Sequence, residues 1–266
     1  MSLLQLQDVH VTYNGASNGG VVALSGISLD VAEGELLAVI GPSGCGKSTL
    51  LNLIAGFIDP DQGRVLFAGD PVQRPGPERA VVFQDGALFP WLTVAGNIGF
   101  VMRMQKRPRP ERARVQRELI ELVGLEGFEH AHPHELSGGM RQRVAIARAL
   151  AMEPRVLLMD EPFGALDAQT RERLQDELLR IWRQTQKTIV FVTHNVEEAA
   201  YLGDRVVVMS QRPGTIVEAV TVDMGRPRSR TEPDICALKS RLFHLLAGTE
   251  PGEEDPTKRA CACAKE

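Results

Sequence analysis

Near the N-terminus apolar residues occupy alternate positions: Leu4 and Leu6, then Val9 and Val11 after one phase slip, and Ile27, Leu29 and Val31 with no slip at all. Period-two alternation marks strands with one buried face, and the slip predicts a bulge. From Leu36 onward the pattern changes to short unbroken apolar runs at 36–40, 81–83, 156–159, 189–192 and 206–209, each bounded by turn residues. Strands buried on both faces read this way. Between the runs lie apolar positions at helical spacing, such as Val115, Leu119 and Leu122, or Leu174, Leu178 and Ile181. The alternation predicts an α/β fold in which helices wrap a largely parallel sheet. Residues 87–152 carry helical patterns and no strong strand, so a helical subdomain is expected to interrupt the sheet domain there. One domain over 1–247 accounts for these patterns, and 248–266 is too polar to order and is expected to be a loose tail.

Composition narrows the function. The 266 residues, 43% hydrophobic and 24% charged, are ordinary globular usage, with enough chain for a core without disulfide staples. Thirty Lys and Arg against 34 Asp and Glu leave a net charge of −4, so no overall basic field holds nucleic acid, and 5% aromatics supply no stacking surface for it. No apolar stretch approaches the ~20 residues that span a bilayer. The N-terminus lacks the basic start and apolar core of a secretion signal, which places the protein in the cytoplasm as an expectation. Cys45, Cys236, Cys261 and Cys263 show neither zinc nor disulfide spacing and are read as reduced.

The first chemical motif is Gly41-Pro42-Ser43-Gly44-Cys45-Gly46-Lys47-Ser48, followed by Thr49 and lying between a buried run and a helical stretch. In that context it is a P-loop. Glycines let successive N–H groups curl inward toward phosphate oxygens, and the helix start adds partial positive charge. Lys47 is the point charge for the β- and γ-phosphates, and Ser48 offers a hydroxyl to the Mg2+ that accompanies a nucleoside triphosphate. The second half of such a site is the run 156–159 followed by Asp160 and Glu161. Asp160 is placed for the magnesium shell, and Glu161 for taking a proton from an attacking water, although adjacent acids after a strand can also cap the next helix. No Asn-Lys-x-Asp motif is present to read guanine. Further along, Leu136-Ser137-Gly138-Gly139-Met140-Arg141-Gln142-Arg143 opens another helical stretch with exposed amides, physically a second anion site, although Ser-Gly-Gly before an amphipathic helix can also be only a cap.

This last motif resembles the signature sequence of ATP-binding cassette proteins. The resemblance spans most of the chain, and it implies a P-loop NTPase (RecA-like) core with an N-terminal antiparallel β-subdomain and an inserted helical subdomain. It further implies ATP and Mg2+ as cofactors and a head-to-tail homodimer, each ATP lying between the P-loop of one chain and the Ser137, Gly138 and Gly139 of the other. Gln84 matches a glutamine that reaches magnesium and the attacking water. Gly164-Ala165-Leu166-Asp167 resembles the loop by which paired chains sense one another at the nucleotide, and His194 the switch histidine that bonds the γ-phosphate. Tyr13 sits where the family stacks adenine on an aromatic ring, while an isolated ring beside a strand can equally be packing. Met140 and Gly164 depart from the family's common glutamine and serine.

The stretches 77–84, 88–91 and 160–167 are similar to cassette subunits of bacterial importers for taurine, other sulfonates and nitrate, closest to the taurine type. Such a subunit energises integral membrane permeases from the inner face of the membrane and works indirectly with an extracytoplasmic binding protein. The apolar loop Leu88-Phe89-Pro90-Trp91 is the expected permease dock, although the same side chains can also pack internally under the helical subdomain. An importer for nitrate or another small organic substrate is the alternative. A soluble cassette of translation or DNA repair would carry a second cassette or a coiled-coil insertion, and a P-loop kinase leaves Ser137 without a purpose.

Overall fold

The computed structural model describes residues 2–13, 20–164 and 166–248; the expected tail beyond Gly248 lies outside the described residues, as does Ala165. In chain order the elements are β1 (Ser2–Tyr13), β2 (Val21–Ala32), β3 (Leu36–Ile40), α1 (Lys47–Ala55), β4 (Gln62–Phe67), β5 (Asp70–Pro71), β6 (Arg79–Val82), α2 (Val94–Met104), α3 (Arg109–Leu122), α4 (Gly138–Leu150), β7 (Val156–Asp160), α5 (Ala168–Thr185), β8 (Thr188–Thr193), α6 (Val196–Leu202), β9 (Arg205–Met209), β10 (Ile216–Thr221) and α7 (Pro233–Ala247). They build two sheets.

The smaller sheet, in the order β2-β1-β4-β5, is antiparallel, as alternation requires. Its register shifts between Leu6 and Val9, where Asp8 takes a φ of 49°: this is the bulge that the phase slip marks. Gly63 of β4 faces it, at a φ of 81° and with the Asp8 carbonyl 2.2 Å from where a Cβ would stand, so only glycine fits. The larger sheet has the order β10-β9-β3-β8-β7-β6, parallel from β9 to β6 with β10 antiparallel at the edge.

Period two then divides the core. Leu36, Ala38 and Ile40 of β3 face the helices α2 to α7, while Leu37 and Val39 face α1 and the antiparallel sheet. Every residue of β3 and β8 is buried, which is why both read as unbroken apolar runs. One strand is displaced from its expected place: β6 is Arg79–Val82, not 81–83, and Phe83 lies beyond it, 40% exposed. The reason is Arg79, a buried cation whose Nη1 pairs with Glu78 at 2.9 Å and whose Nη2 donates to the Arg74 carbonyl at 2.6 Å. A charge inside a ladder breaks the apolar pattern without breaking the strand. Between β6 and β7 the chain is helical, and no helix among the described residues is long and apolar enough to cross a membrane.

Candidate functional site

The C-terminal end of β3 runs into the glycine-rich loop and then α1, which begins at Lys47. Gly46 has a φ of 101°, and a Cβ there would stand 2.6 Å from Leu24 and 2.9 Å from the Ala23 carbonyl. As the N-cap of α1 it carries no side chain to take the first-turn N–H groups, which stay available to an anion. Lys47 is only 6% exposed, and its Nζ donates to the carbonyls of Gly41 (2.8 Å) and Pro42 (3.1 Å), so the ammonium is held within the curl of the loop. Cys45 fills the space beneath. Burial pushes its thiol up against the opposing pull of Lys47, which makes it a small apolar plug.

A cavity of about 440 Å³ opens over this loop, lined by Lys47, Ser48, Thr49, Glu161 and Tyr13. Tyr13 leaves its ring 45% exposed on that wall and donates its hydroxyl to Thr49 Oγ1 at 3.3 Å, so the ring is presented to the cavity and not packed inside the sheet. Beneath the cavity, Ser48 Oγ donates to Asp160 Oδ1 at 3.2 Å. Burial raises the Asp160 carboxyl above the ordinary aspartate range and neighbouring Glu161 adds to the push, while the Ser48 bond and Lys47 oppose it. A hydroxyl and a carboxylate turned toward each other are hard oxygen donors that fit a small divalent cation.

Glu161 stands just past β7 with a φ of 45°, a left-handed backbone uncommon for a side-chain-bearing residue. Its N–H donates to the Val192 carbonyl of β8 (3.0 Å), and its carbonyl accepts from Gly164 N (3.1 Å). Those bonds hold the strained residue at the cavity edge. His194 follows β8 directly, and its Nδ1 lies 3.1 Å from Glu161 Oε2. The structure thus brings Tyr13, the loop residues, Lys47, Ser48, Asp160, Glu161 and His194 together.

Other expected site residues lie elsewhere. Ser137 caps α4, accepting from Met140 N at 3.2 Å, and with Gly139 and Arg143 lines a separate cavity of about 290 Å³ that shares no residue with the first. A Cβ on Gly139 would meet Thr170 at 2.9 Å, so its smallness also lets α4 approach α5. Asp167 caps α5, accepting from Thr170 N at 3.0 Å; that amide holds its carboxyl below the ordinary range. Gln84 stands with Gly138 and Leu166 around a small space between these loops, its Nε2 3.1 Å from where a Gly164 Cβ would be. None of Ser137, Asp167 and Gln84 lines the Lys47 cavity.

Arg212 was not expected from sequence. It follows β9, lines the Lys47 cavity and donates from Nε to the Gly44 carbonyl at 3.2 Å. Gly214 locks that turn down: its N–H donates to the Ala23 carbonyl (2.9 Å), and the Cys45 carbonyl lies 2.0 Å from where a Cβ would stand. Arg212-Pro213-Gly214 announces a turn in the sequence, but nothing local says that the turn meets the loop at Gly44.

A family model described as "ABC transporter" matches residues 24–164. An uncharacterized ABC transporter ATP-binding protein of Methanocaldococcus jannaschii is 53% identical over 226 residues, covering 85% of each chain. The taurine import ATP-binding protein of Pseudomonas putida is 49% identical over 226 residues, again 85% of each. Among solved structures, a dimeric ATP-binding cassette in a post-hydrolysis state with ADP and Pi superposes with a TM-score of 0.73 at 31% identity, covering 84% of this chain and 100% of that one.

Proposed function

The chain belongs to the ABC transporter family and is an ATPase of P-loop NTPase fold; from that premise we propose that it energises an importer for taurine or a related sulfonate. The observation that carries this reading is the division of the site. Lys47, Ser48 and Glu161 line one cavity, with Asp160 bonded to Ser48 and His194 to Glu161, while Ser137 lines another on the same chain. Two half-sites on one polypeptide are completed by a second copy turned head to tail.

In that pair Tyr13 stacks on adenine, the loop amides from Gly41 to Gly46 and Lys47 take the phosphates, and Ser137 with the α4 amides closes the site from the partner chain. Ser48 and Asp160 would hold Mg2+, which supplies charge neutralisation for the phosphate oxygens when bound. Glu161 takes the proton as water attacks the γ-phosphorus and the bond to the bridging oxygen breaks, leaving ADP and inorganic phosphate. His194, bonded to Glu161 Oε2, orients that carboxylate and reaches the γ-phosphate. Gln84 and Asp167, which lie outside this cavity, report its state to the helical region (about 87–152) and to the partner chain.

The permease dock is the loop at 88–91. Trp91 is 70% exposed, Phe89 packs between it and Phe100 with ring centroids 5.5 and 4.5 Å apart, and Arg148 donates to the carbonyls of Gly86 and Ala87. Asn97, fully buried, accepts from Phe89 N and donates to the carbonyls of Phe89, Leu92 and Thr93. An aromatic anchor held out on a stapled loop suits a helix of an integral membrane permease. The permease would bring the chain to the inner face of the membrane, and an extracytoplasmic binding protein would select the cargo. The taurine assignment rests on the importer names of the Pseudomonas relatives.

Glu161→Gln tests the mechanism. Turnover is expected to fall by about 10²–10⁴, with ATP affinity kept and an ATP-dependent dimer accumulating on size exclusion. Near-normal turnover would remove Glu161 from its role. Loss of growth on taurine as sole sulfur source in a deletion strain checks the cargo.

A further inference from the structure

Glu198, on α6, is 3% exposed, an unusual place for a carboxylate. Burial raises its pKa, opposed first by a bond from Thr193 and then by the charge of Arg171. Its two oxygens face different loops. Oε2 accepts from Thr193 Oγ1 at 2.6 Å, and that same hydroxyl oxygen accepts from Asn195 N at 3.0 Å. The hydroxyl of Thr193 is therefore committed in both directions and brackets His194 from either side. Oε1 lies 3.6 Å from Arg171 Nε, a buried N–H with no hydrogen-bond acceptor, while Arg171 Nη2 donates to the Leu166 carbonyl at 3.0 Å. Leu166 adjoins Asp167.

We propose that Glu198 is a positioning residue that ties the histidine loop to the Asp167 loop, through Thr193 on one side and Arg171 on the other. The inference rests on the reading of Glu161 and His194 as the hydrolytic pair. In one direction the contacts run from Leu166 through Arg171, Glu198 and Thr193 to His194 and Glu161. The gap between Arg171 and Glu198 is the part that a shift of the Asp167 loop closes into a bond. A partner chain seated on that loop thereby sets the aim of His194. Glu198 touches neither nucleotide nor water; it acts on the aim of His194, and a misplacement of about 1 Å in such a group costs up to about 10²-fold in rate.

The test uses the purified full-length chain. Thr193→Val and Glu198→Gln are each expected to lower kcat by about 10- to 100-fold, with the ATP dissociation constant within about twofold of wild type, because the Lys47 cradle is untouched. Thr193→Ser, which keeps the hydroxyl, is expected to restore kcat, and it serves as the readout should Glu198→Gln fail to fold. Coupling is read from a cycle of Glu198→Gln with Asp167→Ala, whose effects on kcat are expected to be less than additive. Additive effects, unchanged kcat in Thr193→Val, or a loss of kcat matched by a loss of folded protein would each overturn the proposal. Glu161→Gln and His194→Ala run alongside: if they keep full turnover, the site reading fails and the inference with it, whereas if they lose turnover and Thr193→Val does not, the inference alone fails.

Discussion

Asp160 carries a carboxyl that folding pushes upward in pKa, burial first and Glu161 second. An acid whose pKa rises on folding weakens the folded state as pH climbs from its unfolded value through its folded one. Asp160→Asn is therefore expected to raise the melting temperature of the nucleotide-free chain, while turnover is lost. A lower melting temperature at neutral pH would show that the Ser48 and Lys47 contacts outweigh burial. Residues like Asp160 were legible in the sequence because phosphate chemistry demands particular types at adjacent positions. Arg212 and Glu198 were not: the first meets Gly44 across 168 positions, and the second reads in sequence as one more acid on a helix.

At the scale of elements, legibility followed burial. Strands covered on both faces announce themselves, so β3, β7, β8 and β9 were readable, whereas β4, half exposed beside the two-residue β5, and β10, half exposed at its sheet edge, carry weaker signals. Least readable was the segment after β10, where Arg226, Arg228 and Arg230 suggest a solvated basic stretch. They fold inward instead. Arg228 is 7% exposed, burial and then Arg226 press its pKa down to about 10, and its Nη1 donates to the carbonyls of Ala200, Tyr201 and Gly203 at the end of α6. Arg226 pairs with Asp204 at 2.6 Å, and Arg230 lies over the Tyr201 ring at 3.6 Å. Arg228→Leu strands three carbonyls, and about 2–4 kcal/mol of stability is expected to vanish, measured by urea unfolding. A loss below about 0.5 kcal/mol would mean that other donors reach those carbonyls.

At the scale of the whole molecule, α4 joins the Ser137 cap at its N-terminus to the loop proposed as the permease dock, its last turn holding Arg148 on the carbonyls of Gly86 and Ala87. Trp91→Ala is expected to leave the ATPase activity of the isolated chain within about twofold, since surface substitutions rarely propagate, and to abolish co-purification with the permease. A permease complex that survives the substitution would move the dock elsewhere. The separation of the two cavities also has a genetic meaning. Lys47→Ala and Ser137→Arg chains, each inert alone, spoil opposite halves of the pocket, so coexpressing them builds mixed dimers with one unblemished site. Random pairing gives about a quarter of the normal complement of sites, and trans-complementation of two dead alleles is the phenotype by which a shared pocket reveals itself.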